Sequence, residues 1–194
     1  MSFTRVDRAI INDMAPDVRR DFDFGNSMFP AAAQLIGPHL IKPAPMTLDC
    51  SAATDFVMLH ADGVNIAYRV RKHSQLNPKY RNEFTIRTER RPANNPSVKL
   101  PTELGKAIEG KVHLSFYGFA NEDGTGFDCW HLIDLRLLVA EIARPNTYAR
   151  DLAIDQTKWI SNPDRLTKFA AFNIHKIPTD VIIATSEELN HATH

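Results

Sequence analysis

The stretch Thr54–Arg71, TDFVMLHADGVNIAYRVR, decides the fold. Phe56, Val57, Met58 and Leu59 form a short apolar run, and Ile66, Tyr68 and Val70 alternate with Asn65, Ala67, Arg69 and Arg71. Alternation with period two belongs to a half-buried strand. Between the two runs stands Asp62-Gly63, a dipeptide that tolerates the positive φ values of a two-residue hairpin turn. The spacing predicts an antiparallel hairpin, with Phe56–Leu59 paired to Ile66–Val70.

Upstream of this hairpin, residues 1–24 mix acids and bases and read as a polar arm or an exposed short helix. Ser27–Leu40 reads as a better helix, with Ser27 as its cap, Pro30 in the first turn and Gly37-Pro38 at its end. Downstream, Glu83–Arg87 is β-type and the Pro/Asn-rich Arg91–Pro101 is a loop. Thr102 caps a helix with Glu103 in its first turn and Gly110 past its end. Val112–Ala120 and Cys129–Leu138 read as paired strands about the turn Glu122–Gly126. Asn162-Pro163 opens a helix to Ala170, and Phe172–Ile174 and Val181–Ala184 are late strands. The expected class is α+β, a central mixed β-sheet with flanking helices. It divides into an N-terminal arm (1–26), one domain (27–185) and a frayed tail (186–194).

The chain of 194 residues is 43% hydrophobic, ordinary for a globular protein and far from the disordered regime. Cys50 and Cys129 sit in no CxxC pair and make no disulfide framework. The N-terminal MSFTRVDRAIINDM carries acids early, and no apolar run approaches the ~18 residues of a membrane span. The expectation is a soluble, cytoplasmic protein.

Net charge is balanced, with 23 basic and 23 acidic residues, but the two signs are segregated. Arg69, Arg71, Lys72, Lys79, Arg81, Arg87, Arg90 and Arg91 face only Glu83 and Glu89, a formal excess of six positive charges. Tyr68, Tyr80 and Phe84 lie among them. Bases neutralise phosphates and aromatic faces stack on unpaired nucleobases, so these eight residues are candidate nucleic-acid contacts. Alternating charge also suits a solvated strand face. Arg69 and Arg71 share one face of one strand, and one basic surface results if the Glu83–Arg87 strand pairs with it. Across Asn121–Glu141 the acids Glu122, Asp123, Asp128, Asp134 and Glu141 face only Arg136.

A second constellation is acidic. Asp49 and Asp55 bracket the start of the Phe56 strand, where rigid backbone would aim carboxylates at a hard divalent cation. They also suit turn or cap positions. Glu103 and Lys106, at i and i+3, read either as a helix bordering the site or as a surface ion pair. The histidines His60, His73, His113, His131 and His175 lack the spacing of a zinc site. GxSxG and P-loop motifs are absent.

Thr54–Arg71 resembles the hairpin of PD-(D/E)XK (restriction-endonuclease-like) nucleases, in which an Asp opens one strand and an acid-x-Lys triplet follows on the next. Asp55 matches the first acid, and Arg69 of Ala67-Tyr68-Arg69 stands at the Lys position. Ala67 replaces the second acid, a place that Glu83 or Asp49 would have to fill, and Ser27–Leu40 offers only Gln34 where the family has a helical Glu. The FTIR strand and the Thr102-Glu103-Leu104-Gly105-Lys106 helix are similar to those of uncharacterised phage-encoded proteins. The resemblance implies a restriction-endonuclease-like core, with Asp55, Arg69 and Glu83 catalytic and Asp49 and Asp55 holding Mg²⁺ or Mn²⁺. The expected function is therefore a nucleic-acid-acting protein, a metal-dependent nuclease of phage type. The alternative is a non-catalytic binding or inhibitor protein that contacts a protein partner on a degenerate nuclease fold.

Overall fold

In a computed structural model of the chain, the residues described are 16–43, 56–58, 64–73, 81–143, 160–162 and 166–186. Strand β5 (Leu114–Ala120) sits at the centre, because all seven of its residues are buried. A strand apolar on both sides needs cover on both faces, and the rest of the fold supplies it. Strand β6 (Phe127–Asp134) returns antiparallel beside it across the turn 121–126. In that turn Asn121 Oδ1 accepts from the backbone N–H groups of Thr125 and Gly126, and Gly124 takes a φ of 69°. The predicted β5–β6 pair is present, but its second strand is shorter than expected.

Leu135–Ala143 is helix α4 rather than strand. The Asp134 carboxylate stops the strand by accepting from the backbone N–H of Arg136 at 2.8 Å and of Leu137 at 3.3 Å. Leu135, Leu138 and Glu141 then repeat at helical spacing on the buried side.

Strand β3 (Ile66–Arg71) lies parallel to β5, with Ile66 opposite Leu114 and Arg69 opposite Tyr117. With β9 (Ile182–Thr185) the order is β3-β5-β6-β9, a mixed four-stranded sheet as expected. The predicted hairpin does not form. Strand β2 (Phe56–Met58) pairs instead with β1 (Ile41–Pro43), while β3 takes β5 as its neighbour. Asp62-Gly63 lies outside the described residues. Local turn chemistry was outweighed by burial: beside β5, Ile66 and Tyr68 pack into the cluster of Leu114, Phe116 and Leu132.

Helix α1 (Pro16–Ser27) occupies the second half of the polar N-terminal stretch, and helix α2 (Phe29–Ile36) follows it. Ser27 does not cap α2. Its hydroxyl donates to the Phe24 carbonyl at the end of α1, and Met28 is the cap residue. Ala32 and Ile36 of α2 cover one face of the sheet with Phe116, Leu132 and the partly buried Trp130.

The other face meets a second sheet that the sequence reading did not separate from the first. Its order is β4-β8-β7, formed by Glu83–Arg90, Thr167–Asn173 and Ile160–Ser161. Phe84, Ile86, Ala170 and Phe172 of that sheet pack with Tyr117, Phe119 and Ile133. The expected helix from Asn162 to Ala170 is a strand over Thr167–Ala170, because Phe169 and Lys168 find partners on both β4 and β7. Helix α3 (Glu103–Ile108) packs on β4 and α4 and begins as predicted, with Thr102 Oγ1 accepting from Gly105 N–H. Gly110, at φ 69°, follows its end. Cys129 is a free buried thiol, and His131 is held in the core between the Thr185 hydroxyl and the Arg81 carbonyl.

The close packing of β5 gives a direct test. A Cβ added at Gly118 would stand 2.7 Å from the Phe127 ring, against a side chain itself wedged on Phe116. Gly118→Ala is expected to cost about 1–3 kcal/mol through overpacking. Urea denaturation of the variant beside the wild type measures it, and unchanged stability would contradict the packing described.

Candidate functional site

The alternation of β3 sends Ile66, Tyr68 and Val70 to the α2 side and Ala67, Arg69 and Arg71 to the other. On β4, Phe84 and Ile86 enter the core, so Glu83, Thr85 and Arg87 share the opposite face. The two strands lie in different sheets and do not pair, so they do not build one continuous basic surface. Instead, three arginines converge. Arg69 Nη1 donates to the Thr85 carbonyl at 3.4 Å and Arg71 Nη2 to the Thr85 hydroxyl at 3.4 Å. The Thr85 hydroxyl donates in turn to Tyr117 OH at 3.1 Å. The guanidinium carbons of Arg69 and Arg87 lie 5.1 and 5.7 Å from the centre of the Phe169 ring, a cation–π arrangement that fixes both side chains.

Glu103, in the first turn of α3, faces this cluster rather than Lys106. Its carboxylate stands 3.7 Å from Arg69 and 3.8 Å from Arg87. Charge-assisted hydrogen bonds are close to 2.7–2.9 Å, so Glu103 lends charge but leaves the forks unsaturated. Arg71 Nε, Arg87 Nε and Glu103 Oε2 are buried without a hydrogen-bond partner. Side-chain exposure is 19% for Arg69 and 26% for Arg87. Burial pushes the Arg69 pKa down to about 10; Glu103 opposes that shift, while Arg71 and Arg87 add to it. The site is cationic, partly desolvated and incompletely paired, and an anion would offset its charge and complete its pairing. Arg69, Arg87 and Glu103 line a recess of about 420 Å³ with Thr85, Ser115 and Asp21.

The other bases of the segment are dispersed. Lys72 pairs with Asp21 at 3.1 Å and lies over the Phe24 ring. Arg91 is held by Glu89 at 2.7 Å and by the Pro96 carbonyl, and Lys168 reaches the same Glu89 at 3.0 Å. Hydrogen bonds from Lys168 and Arg91 keep the Glu89 carboxyl below its usual pKa. Arg81 reaches the Asp128 carbonyl at 3.5 Å, and Arg90 is exposed at the end of β4. Lys79, Asp49 and Asp55 lie outside the described residues. Glu83 opens β4 opposite Asn173, two residues from Thr85. Among the described residues, no three His, Cys, Asp or Glu side chains come together as metal ligands. Nor is any described helix long and apolar enough to cross a membrane.

Sequence reasoning named the three arginines and weighed Glu103, but missed Thr85, Tyr117 and Phe169. Thr85 stood within the FTIR strand, where its hydroxyl was the available signal. Phe169 had none, because its segment reads as helical. In comparisons with known proteins, no family model, no curated protein and no solved structure matches the chain.

Proposed function

We propose that this chain binds nucleic acid through its phosphates, with Arg69, Arg71 and Arg87 forming the anion site. The supporting observation is the convergence of three guanidiniums on Thr85 and Phe169, with the Glu103 carboxylate at 3.7 Å from Arg69 and 3.8 Å from Arg87. Arginine forks match phosphate geometry, and a partly desolvated cation cluster gains more from an anion than a solvated one does. Asp49 and Asp55, which hydrolysis with Mg²⁺ or Mn²⁺ would need, lie outside the described residues. Binding alone is therefore proposed.

Anisotropy titrations of a labelled single-stranded oligonucleotide over a range of salt concentrations test it. The wild type is expected to bind with log K falling linearly in log salt. Arg69→Gln with Arg87→Gln is expected to flatten that slope by about 0.7 for each phosphate no longer neutralised. Arg91→Ala is expected to leave affinity and slope unchanged, because Glu89 and the Pro96 carbonyl already hold the Arg91 guanidinium. Absence of binding at low salt would defeat the reading. Equal losses from Arg91→Ala and the double variant would place the binding on the general surface instead.

A further inference from the structure

We infer that Glu103 is the resident counter-ion of the arginine cluster: its carboxylate stands where a ligand phosphate binds, and swings aside when one does. This inference rests on the nucleic-acid reading above and names what regulates that same site.

Three observations carry it. First, charge: the recess is lined by Arg69 and Arg87 on one side of the balance and by Glu103 and Asp21 on the other. Asp21 is taken by Lys72 at 3.1 Å, so the anion that faces the two guanidiniums is Glu103. Second, geometry: Glu103 Oε1 is turned to Arg69 Nη2 and Oε2 to Arg87 Nε, one oxygen to each arginine. The two anionic oxygens of a phosphodiester would bridge the same pair of guanidiniums. At 3.7 and 3.8 Å both contacts are longer than charge-assisted hydrogen bonds, so the carboxylate offsets charge without gripping either fork. A phosphate that comes within hydrogen-bond distance gains what the carboxylate leaves unused. Third, the cluster keeps its shape without Glu103. Arg69 donates to the Thr85 carbonyl and lies over the Phe169 ring, Arg87 lies over the same ring, and Arg71 reaches the Thr85 hydroxyl. Helix α3 is anchored at its start by the Thr102 cap rather than by this carboxylate. The Glu103 side chain is already 32% exposed, so rotation about its own bonds takes it to solvent while the arginines stay in place. Binding then exchanges one anion for another, and the cost of releasing Glu103 is subtracted from the affinity.

The test titrates one labelled single-stranded oligonucleotide with the full chain, as wild type and as Glu103→Gln, at low salt. Glu103→Gln keeps the length of the side chain and removes its charge. It is expected to bind about five- to tenfold more tightly than the wild type, the combined worth of two partly exposed ion pairs. Glu109→Gln makes the same change of charge at the other end of α3, where Glu109 pairs with Lys111 at 2.7 Å. That control is expected to change affinity by less than about twofold, because solvent and salt screen it. The gain from Glu103→Gln should also vanish in a chain carrying Arg69→Gln and Arg87→Gln, since the arginines that the carboxylate offsets are then gone. If that combination fails to fold, the comparison with Glu109→Gln decides alone. Salt-sensitive binding by Glu103→Gln that is equal to the wild type's or weaker would overturn the inference and leave the nucleic-acid reading standing. A gain matched by Glu109→Gln, or one that survives the loss of both arginines, would overturn it as an effect of net charge. Binding by none of the proteins, Glu103→Gln included, would remove the reading and the inference together.

Discussion

Phe116→Ala is expected to remove about 3–5 kcal/mol of folding stability, the usual cost of deleting a buried aromatic ring. Phe116 is fully buried and stacks on Tyr68 at 5.8 Å and Trp130 at 5.9 Å, with Phe127 edge-on at 5.1 Å. Its ring therefore ties three strands to one another and, through Tyr68, to the Gly25 carbonyl of α1. A domain of this size is typically stable by about 5–15 kcal/mol, so the loss is a large part of the whole. Chemical denaturation measures it. Because Tyr68 adjoins Arg69 on β3, the same variant is expected to weaken anion binding without touching the recess. A loss under about 1 kcal/mol would mean that the cavity collapses or that the ring is not where the structure puts it.

Asp134→Ala is expected to cost about 2 kcal/mol, within the range of a lost helix cap. The carboxylate accepts from two backbone N–H groups at the β6–α4 junction and from Arg136 Nη2 at 2.6 Å. Burial pushes the Asp134 pKa up, but hydrogen bonds from Arg136 and Leu137 outweigh it and hold the group below its ordinary value. A carboxyl whose folded pKa is depressed contributes stability that is present above the unfolded pKa. That contribution is lost as the pH falls from the unfolded value through the lower folded one. The wild type should therefore lose stability in that acid window, and Asp134→Ala should lose less of it there. Urea midpoints measured across acid and neutral pH make the comparison. Parallel pH curves for the two proteins would exclude Asp134 as the titrating group.

Much of the fold was legible wherever a local signal and burial agreed. The β5–β6 pair, the Thr102 cap and the Glu83 strand were readable because turn residues, cap residues and apolar runs all favoured the same outcome. Where the two diverged, burial prevailed. Asp62-Gly63 invited a hairpin, yet β3 found its partner at Leu114–Phe119, in a segment far along the chain. Cys129–Leu138 looked like one strand because its apolar residues are nearly continuous, and the break lies in the geometry of Asp134. The arginines of the site were visible as residues but not as a cluster. Whether Arg69 and Arg87 meet depends on how two sheets approach, and strand periodicity carries no information about that.

The parallel pairing of β3 with β5 also bears on how the recess comes into being. Arg69 aligns with Tyr117, while β4 and α3, which carry Arg87 and Glu103, belong to the intervening loop. Contacts between residues so distant in sequence are formed late and slowly, since loop closure must precede any gain from them. The β5–β6 hairpin is local and nucleates readily by comparison. Arg87 would thus stay apart from Arg69 and Arg71, and all three solvated, until the two sheets approach. Like charges brought together at that stage raise the barrier, and an anion present during refolding should lower it.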